Sequence, residues 1–182
     1  MIITITGTPG SGKTSVGKVL AERLKYDHVS MGDIRGEIAK RHGITIDELN
    51  AIGSREPWTD KEPDEDLRTM GKERDNLVID TRTGFFFIPH SFKIFLSCDI
   101  NIAAKRIFKD QREDEKKHDT VQGVKDMITQ RMDDDRTRFK KWYDIDVNEM
   151  SHYDYVLDST KLTVDETADI IMDKMRELGK IK

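Results

Sequence analysis

Residues 7–14 read Gly7-Thr8-Pro9-Gly10-Ser11-Gly12-Lys13-Thr14, which is a complete phosphate-binding loop motif. Its glycines let the backbone fold tightly enough for successive N–H groups to point at phosphate oxygens. In such a loop Lys13 reaches the β- and γ-phosphates of a nucleotide and the Thr14 hydroxyl holds Mg²⁺. We count the next residue, Ser15, among the nucleotide-binding residues. A Gly-rich turn with a solvated lysine is the alternative interpretation.

The sequence on both sides of this loop argues against that alternative. The apolar run Ile2-Ile3-Thr4-Ile5 precedes the loop, as a buried strand would. After the loop, Val16, Val19, Leu20 and Leu24 recur at helical spacing on one face. A strand, a phosphate-binding loop and an amphipathic helix in this order are the context that the motif requires.

The composition fits one charged domain. The chain has 182 residues, of which 36% are hydrophobic and 36% charged, with a formal net charge of −4. A domain of this length can bury a working core. The negative charge argues against general nucleic-acid binding, because phosphate backbones attract basic surfaces. Cys98 is the only cysteine, which excludes an internal disulfide and a thiolate metal cluster.

Segments that would direct the chain to a membrane are not evident. No signal peptide precedes the first strand, and no apolar run approaches membrane-spanning length. A single cysteine also fits a reducing compartment. We therefore expect a cytoplasmic protein without a membrane or nucleic-acid partner, and we expect it to be a monomer.

Short apolar runs alternate with helical segments along the chain. Strands are predicted at 77–80, 93–96 and 155–158, and residues 28–30 are predicted to be a short strand or the end of one. Helices are predicted at Ile100–Gln111, Val121–Tyr143 and Val164–Leu178, the last capped by Thr163 and Glu166. This alternation predicts an α/β fold, with a parallel sheet and helices on both of its faces.

The segment from about residue 34 to residue 75 shows only helical patterns. Helices are predicted at Ile34–Arg41, at an opening with Thr45 and Glu48 in a capping-box pattern, and at Pro63–Arg74. This segment is predicted to be an all-helical insertion within one domain spanning residues 1–182.

Charged residues interrupt the apolar stripe of the long helix. Val124 and Ile128 define the stripe, and its continuation passes through Arg131, Asp135 and Arg138. Charges facing a core are costly unless they are paired or contact a charged ligand. One interpretation is therefore a cleft for an anion, which buried arginine favours. The other is a self-contained ion cluster on a partly exposed helix.

Further candidate residues follow two other segments. Asp80 ends a buried strand, where doubly wound sheets place their ligands, and Arg82 would point to the same crevice. Asp80 could orient the hydration shell of Mg²⁺, or it could cap the strand end. Arg106 and Arg112 bracket the start of a highly charged run. They could fold over a transferring phosphoryl group, or the run could be a solvated loop.

Taken together, these motifs resemble nucleoside monophosphate kinases, and most closely the short cytidylate kinases of archaeal type. The resemblance runs over nearly the full length. It rests on the phosphate-binding loop, Ser30-Met31-Gly32-Asp33, Ile79-Asp80-Thr81-Arg82, the Arg131/Asp135/Arg138 spacing, and the tail from Tyr153 to Thr163.

The resemblance implies a P-loop NTPase-type sheet of five parallel strands sandwiched by helices. It also implies a helical acceptor-binding insert at about 34–75 and a lid at about 106–120. ATP and Mg²⁺ would be the cofactors. The implied donor-side residues are the loop from Gly7 to Ser15, with Thr14 and, through water, Asp80 for the metal. The implied acceptor-side residues are Asp33, Arg35, Asp80, Arg82, Arg131, Arg138 and, for the ribose, Asp135. Lys13, Arg131 and the lid arginines Arg106 and Arg112 would be catalytic.

Two positions depart from the family pattern. The family usually has an arginine four residues after the glycine that matches Gly32, whereas Gly36 stands there and Arg35 precedes it. Either Arg35 substitutes through a shifted helix register, or the acceptor phosphate is bound differently. The second departure is Thr81, where glycine is common.

The expected activity is ATP-dependent phosphorylation of CMP or dCMP to the diphosphate. Such transfer needs no general base because the acceptor is an ionised phosphate. A kinase of the same fold acting on AMP, UMP or a small metabolite such as shikimate is one alternative. A regulatory ATPase switch is another, although no Asn-Lys-x-Asp segment for reading guanine is present.

Overall fold

A computed structural model describes residues 1–112 and 115–182, and within them the chain forms one sheet flanked by helices. The strands are β1 (Ile2–Gly7), β2 (Asp27–Ser30), β3 (Leu77–Asp80), β4 (Phe92–Ser97) and β5 (Tyr155–Asp158). The helices are α1 (Lys13–Leu24), α2 (Met31–Arg41), α3 (Ile46–Gly53), α4 (Trp58–Glu73), α5 (Gly84–Phe87), α6 (Ile100–Lys109), α7 (Val121–Tyr143) and α8 (Val164–Glu177). A short 3₁₀ helix, Met150–His152, precedes β5.

The five strands are parallel and lie in the order β2-β3-β1-β4-β5, which confirms the predicted α/β sheet. In this register Ser30 pairs with Asp80 and Ile5 pairs with Asp80 from the other side. The carboxyl ends of β1, β2 and β3 therefore meet at one edge of the sheet. The phosphate-binding loop leaves β1 at that edge.

Successive strand residues face opposite sides of the sheet, and helices cover both sides. Ile3 and Ile5 pack with buried residues of α1 and α8, such as Leu20 and Ile171. On the other face, Leu77 and Ile79 pack with Leu67 of α4. Because both faces are buried, the strands appear in the sequence as continuous apolar runs.

Several helix boundaries differ from the predictions. Helix α4 begins at Trp58, five residues before the predicted start at Pro63, so the proline lies inside the helix. Helix α2 begins at Met31 because the Ser30 side chain caps it. Helix α5 was not predicted. The capping boxes at Thr45 and Thr163 are confirmed.

The connection between α6 and α7 contains most of the predicted lid, and residues 113–114 of that prediction lie outside the described ranges. The predicted insertion corresponds to most of α2 with α3 and α4, between β2 and β3. Its role and that of the lid stay predictions. In the part of the chain described here, every helix is too short or too polar to cross a membrane.

Candidate active site

A cavity of about 290 Å³ lies at the carboxyl edge of the sheet, between the phosphate-binding loop, the helical insertion and α7. Many of the predicted site residues line it: Pro9, Gly10, Lys13, Thr14, Arg35, Asp80, Arg82, Arg112, Arg131, Asp135 and Arg138. Other predicted residues are not among those that line it: Gly7, Thr8, Ser11, Gly12, Ser15, Asp33 and Arg106. Residues predicted on the donor and acceptor sides therefore share one cavity.

The phosphate-binding loop adopts a backbone that requires glycine. Gly10 has φ 76° and Gly12 has φ 89°, values in the left-handed region. Lys13 Nζ donates to the Thr8 carbonyl oxygen at 2.9 Å and so spans the loop. Gly12 precedes α1 and provides no side-chain cap, so the first N–H groups of the helix remain available to an anion.

Lys13 is partly buried in this loop. Burial, together with the positive charge of Arg82, lowers the pKa of Lys13 to about 7, although the charges of Asp80 and Asp135 act in the opposite direction. Bound phosphates would favour the charged form of Lys13, because an opposite charge nearby stabilises the ammonium group. The ionisation of Lys13 should therefore be coupled to nucleotide binding.

Arg82 connects the loop to α7. Its Nη1 donates to the Gly7 carbonyl oxygen, and its Nε lies 3.1 Å from Asp135 Oδ2. The position after Thr81 thus carries an arginine that reaches both sides of the cavity, and Thr81 itself is buried. The threonine, where glycine is common in the family, does not turn Arg82 away from the site.

Arg138 is the most buried of the α7 charges, with its side chain 3% exposed. Its Nη2 donates to Asp135 Oδ1 at 2.8 Å, and its Nε lies 3.3 Å from Asp60 Oδ2. Among the described residues, its Nη1 has no hydrogen-bond partner although it is buried. That orphaned donor is suited to an anionic group bound in the cavity.

Arg35 also reaches the cavity, although it stands one position before the arginine of the family pattern. Its Nη1 donates to Asp60 Oδ1 at 2.5 Å and to the Thr59 carbonyl oxygen at 3.1 Å. Pro63 lacks the N–H that would normally bond the Thr59 carbonyl within α4. Arg35 therefore satisfies the carbonyl that the proline leaves without its helical donor.

Arg131 is held by carboxylates from two other segments. Its Nη1 donates to Glu115 Oε1 and its Nη2 to Asp47 Oδ1, both at 3.1 Å. The α7 charges are therefore not a self-contained cluster. They bind partners on the loop after β3, α3, α4 and the loop before α7, and of these partners Arg82, Asp60 and Glu115 line the cavity.

The two predicted lid arginines occupy different places. Arg112 lines the cavity, and its Nη2 donates to Asp33 Oδ1 at 2.8 Å. Asp33 thus contacts the site through Arg112. Arg106 departs from the prediction: its Nη2 donates to the carbonyl oxygens of Ser159, Thr160 and Leu162. In this structure Arg106 binds the loop after β5 and does not face the cavity, because three backbone carbonyls converge on its guanidinium.

The prediction did not include two buried acids of α4. Asp60 and Asp64 are 3% and 8% exposed and line the cavity. Burial raises the pKa of Asp64 to about 6, although a hydrogen bond from the Tyr143 hydroxyl opposes that shift. The signal was present in the sequence, because Asp60, Asp64 and the buried Leu67 share one helical face. Predicting Asp60 at the site would have required a helix that starts before Pro63.

The donor set fits a magnesium-bound nucleoside triphosphate. Thr14 provides a hydroxyl, Asp80 a buried carboxylate, and the loop provides backbone N–H groups and Lys13. Hard oxygen ligands with few carboxylates suit Mg²⁺, which keeps several waters and binds substrate phosphates. No cluster of three or more His, Cys, Asp or Glu suited to a metal is found within the described ranges.

Comparisons with known proteins identify a family and relatives that match most of the chain. The cytidylate kinase-like family matches residues 2–161. The chain is 31% identical to a cytidylate kinase of Halobacterium salinarum, over 95% of this chain and 88% of that protein. It is 37% identical to an S-adenosylmethionine-dependent nucleotide dehydratase of Lacinutrix mariniflava, but this match covers 98% of the chain and only 37% of that longer relative.

Solved structures show the same fold at low sequence identity. A shikimate kinase from Bacteroides thetaiotaomicron superposes with a TM-score of 0.68 at 16% identity, over 97% of this chain and 98% of that protein. The fold is therefore that of P-loop kinases, which together with the family match supports a phosphotransferase. Because the family match extends from β1 through the loop after β5, the chain belongs to the cytidylate kinase-like family.

Proposed function

We propose that this protein transfers the γ-phosphoryl group of ATP to a nucleoside monophosphate, with CMP or dCMP as the acceptor. The observation that carries the proposal is the arrangement of two anion-binding groups on one cavity. Lys13 and the loop provide the first, and the guanidinium groups of Arg131 and Arg138 provide the second. A regulatory ATPase would have no need for the second group.

On the donor side, the loop N–H groups and Lys13 would bind the phosphates of ATP. Thr14 would hold Mg²⁺ directly and Asp80 would hold it through water. When bound, Mg²⁺ neutralises charge on the phosphate oxygens. Lys13 would be protonated in this complex, and burial would strengthen its attraction to the phosphates.

On the acceptor side, Arg131 and Arg82 would bind the monophosphate and Asp135 would meet the ribose. Arg131 now donates to Glu115 and Asp47, carboxylates that a phosphate of similar charge could replace. Arg35 and the orphaned Nη1 of Arg138 add donors to the same wall of the cavity.

The transfer then requires little chemistry from the protein. An oxygen of the acceptor phosphate attacks the γ-phosphorus of ATP, and the bond from that phosphorus to the oxygen it shares with the β-phosphate breaks. No general base is needed because the attacking oxygen is already ionised. The protein holds the reactants in line, and Lys13 and Arg112 would balance the charge on the transferring group.

The choice of CMP or dCMP rests on the relatives named cytidylate kinases. Discrimination between bases would come from polar side chains on the insertion side of the cavity, where Asn50 and Asp64 lie. Dehydratase activity is not proposed, because the chain spans well under half of the relative that carries that name.

The test is a coupled assay of ADP release with CMP, dCMP, UMP, AMP and shikimate as acceptors. The proposal expects CMP or dCMP to give the highest kcat/KM. A preference for shikimate, or slow ATP turnover that no acceptor accelerates, would overturn it.

Arg131→Ala and Arg136→Ala form a matched pair for the acceptor side. Both residues lie on α7, but Arg136 is 68% exposed and faces away from the cavity residues. Arg131→Ala should lower kcat/KM for the acceptor by about 100-fold, as loss of a charged hydrogen bond of about 2–3 kcal/mol implies. ATP affinity should be unchanged, and Arg136→Ala should behave as wild type.

A further inference from the structure

His28 and Asp80 face each other across β2 and β3. His28 Nε2 lies 3.2 Å from Asp80 Oδ2, and the two side chains are 14% and 8% exposed. Both atoms are buried, and among the described residues neither makes an aligned hydrogen bond, not even with the other, although they lie 3.2 Å apart. A buried carboxylate oxygen without a donor is costly. His28 Nε2 and Asp80 Oδ2 are therefore the obvious hydrogen-bond partners for each other.

The sheet register brings a second donor to the same carboxylate. Ser30 pairs with Asp80, and His28 pairs with Val78, so the side chains of alternate residues share one face. Ser30 Oγ donates to Asp80 Oδ1 at 3.2 Å. Two residues of β2 thus contact the two oxygens of one carboxylate.

Gly17 of α1 provides the space that the imidazole occupies. A Cβ atom at position 17 would lie 2.9 Å from His28 Nε2 and 3.1 Å from His28 Cδ2. These distances are too short for a normal contact, so any other residue at 17 would move the ring. The helix that begins at the phosphate-binding loop is thus adapted to a histidine at position 28.

We propose that His28 is a positioning residue, which fixes the Asp80 carboxylate for the hydration shell of Mg²⁺ when a small rotation of the imidazole aligns Nε2–H with Oδ2. The inference rests on the proposed function for the metal role of Asp80. A neutral imidazole carries one N–H group, so the contact requires the tautomer with the proton on Nε2. His28 acts only through Asp80 and touches no reactant.

The contact itself can be tested without any assay of activity. Long-range ¹H–¹⁵N correlation spectra of the wild-type protein identify which nitrogens of His28 carry protons. A protonated Nε2 is expected. A spectrum showing Nε2 without a proton would overturn the proposal, whatever the enzyme does.

The effect on the metal can be tested by calorimetry of ATP binding in excess Mg²⁺ and in EDTA. His28→Leu should weaken binding in Mg²⁺ by about tenfold, as removal of an outer-shell partner does, and should leave binding in EDTA unchanged. His28→Gln, whose amide can donate at a similar reach, should restore most of the loss. His90→Leu, at an exposed histidine, is the control.

The outcomes separate the inference from the proposed function. If Mg²⁺ raises the ATP affinity of His28→Leu as much as that of the wild type, or if the variant loses affinity equally in EDTA, the positioning role is wrong. If wild-type protein gains nothing from Mg²⁺, the metal site itself fails. If no acceptor is phosphorylated but the Mg²⁺ gain depends on His28, only the proposed acceptor reaction fails.

Discussion

Arg82 Nε lies 3.1 Å from Asp135 Oδ2, while Nη1 of the same guanidinium donates to the Gly7 carbonyl oxygen. One side chain therefore joins the phosphate-binding loop to the middle of α7. The planar fork of arginine makes both contacts possible, whereas lysine carries a single ammonium group. Under the proposed function, Arg82 would couple the position of the donor phosphates to that of the acceptor helix.

We expect Arg82→Lys to lower kcat/KM for both substrates by at least about tenfold, because an ammonium cannot keep both contacts. Combining it with Asp135→Asn should give a coupling energy of about 0.5–3 kcal/mol in a double-mutant cycle measured on kcat/KM. Arg136→Lys, on the exposed face of α7, is the control. Strict additivity of the two changes would show that the Arg82–Asp135 contact does not matter.

Nucleotide binding should take up protons above neutral pH. The pKa of Lys13 is lowered to about 7 in the free protein, so its side chain is mostly a neutral amine at pH 8. The amine must take up a proton to bind phosphates as an ammonium group. At pH 8 the uptake by Lys13 should approach about one proton, and at pH 6 it should be near zero. Affinity for ADP should therefore fall as pH rises above 7.

Calorimetry in buffers with different ionisation enthalpies measures this uptake directly. Lys13→Arg keeps a positive charge that does not titrate in this range and should lose the uptake. If Lys13→Arg takes up as many protons as the wild type, the uptake belongs to another group, such as the nucleotide phosphates.

Replacement of Arg138 should mainly reduce stability. Its side chain is 3% exposed and is paired with Asp60 and Asp135, so Arg138→Met removes one of the two arginines that contact each of these carboxylates. We expect a loss of about 3 kcal/mol in the free energy of unfolding, measured by urea denaturation. Arg136→Met should change it by less than about 0.5 kcal/mol.

Adding Asp60→Leu to Arg138→Met should not recover this loss, because Asp60 also pairs with Arg35, whose guanidinium would then lose its carboxylate. Recovery of stability in the double variant would show that the Arg35–Asp60 pair contributes little. Because replacement of Arg138 reduces stability, acceptor binding is tested more cleanly at Arg131, which is more exposed, than at Arg138.

Asp64 should destabilise the fold at neutral pH. Its pKa is raised to about 6, above its ordinary value of 3.8, so the folded state binds a proton more tightly than the unfolded chain does. Its contribution to stability is therefore fully present below pH 3.8 and is lost as pH rises through 6. Asp64→Asn should raise the free energy of unfolding at pH 8 by about 1–3 kcal/mol.

This advantage of Asp64→Asn over wild type should shrink as the pH falls from 6 to 4. Urea denaturation across that range is the measurement, and Asp66→Asn, at an exposed position of the same helix, is the control. A constant difference at all pH values would mean that Asp64 does not titrate as the structure implies.

Local patterns were enough to predict the sheet and the position of the phosphate-binding loop between β1 and α1. The phosphate-binding loop, the five strands and the capping boxes at Thr45 and Thr163 each depend on residues close together in the chain. Strand and helix periodicity, loop backbone chemistry and capping act over a few residues, so a sequence displays them directly. The stripe through Arg131 and Arg138 also predicted, correctly, that these charges face the interior.

Only the tertiary structure decided which charges meet. Arg131 binds Glu115 and Asp47, which are 16 and 84 positions away. Arg35 donates to the Thr59 carbonyl oxygen, which has no helical N–H donor because residue 63 is a proline. Arg106, predicted at the lid, instead binds carbonyls more than fifty positions away. Such contacts depend on how helices pack against the sheet and on strand register. No pattern local to the chain encodes them, and the same is true of the 3.2 Å approach of His28 to Asp80.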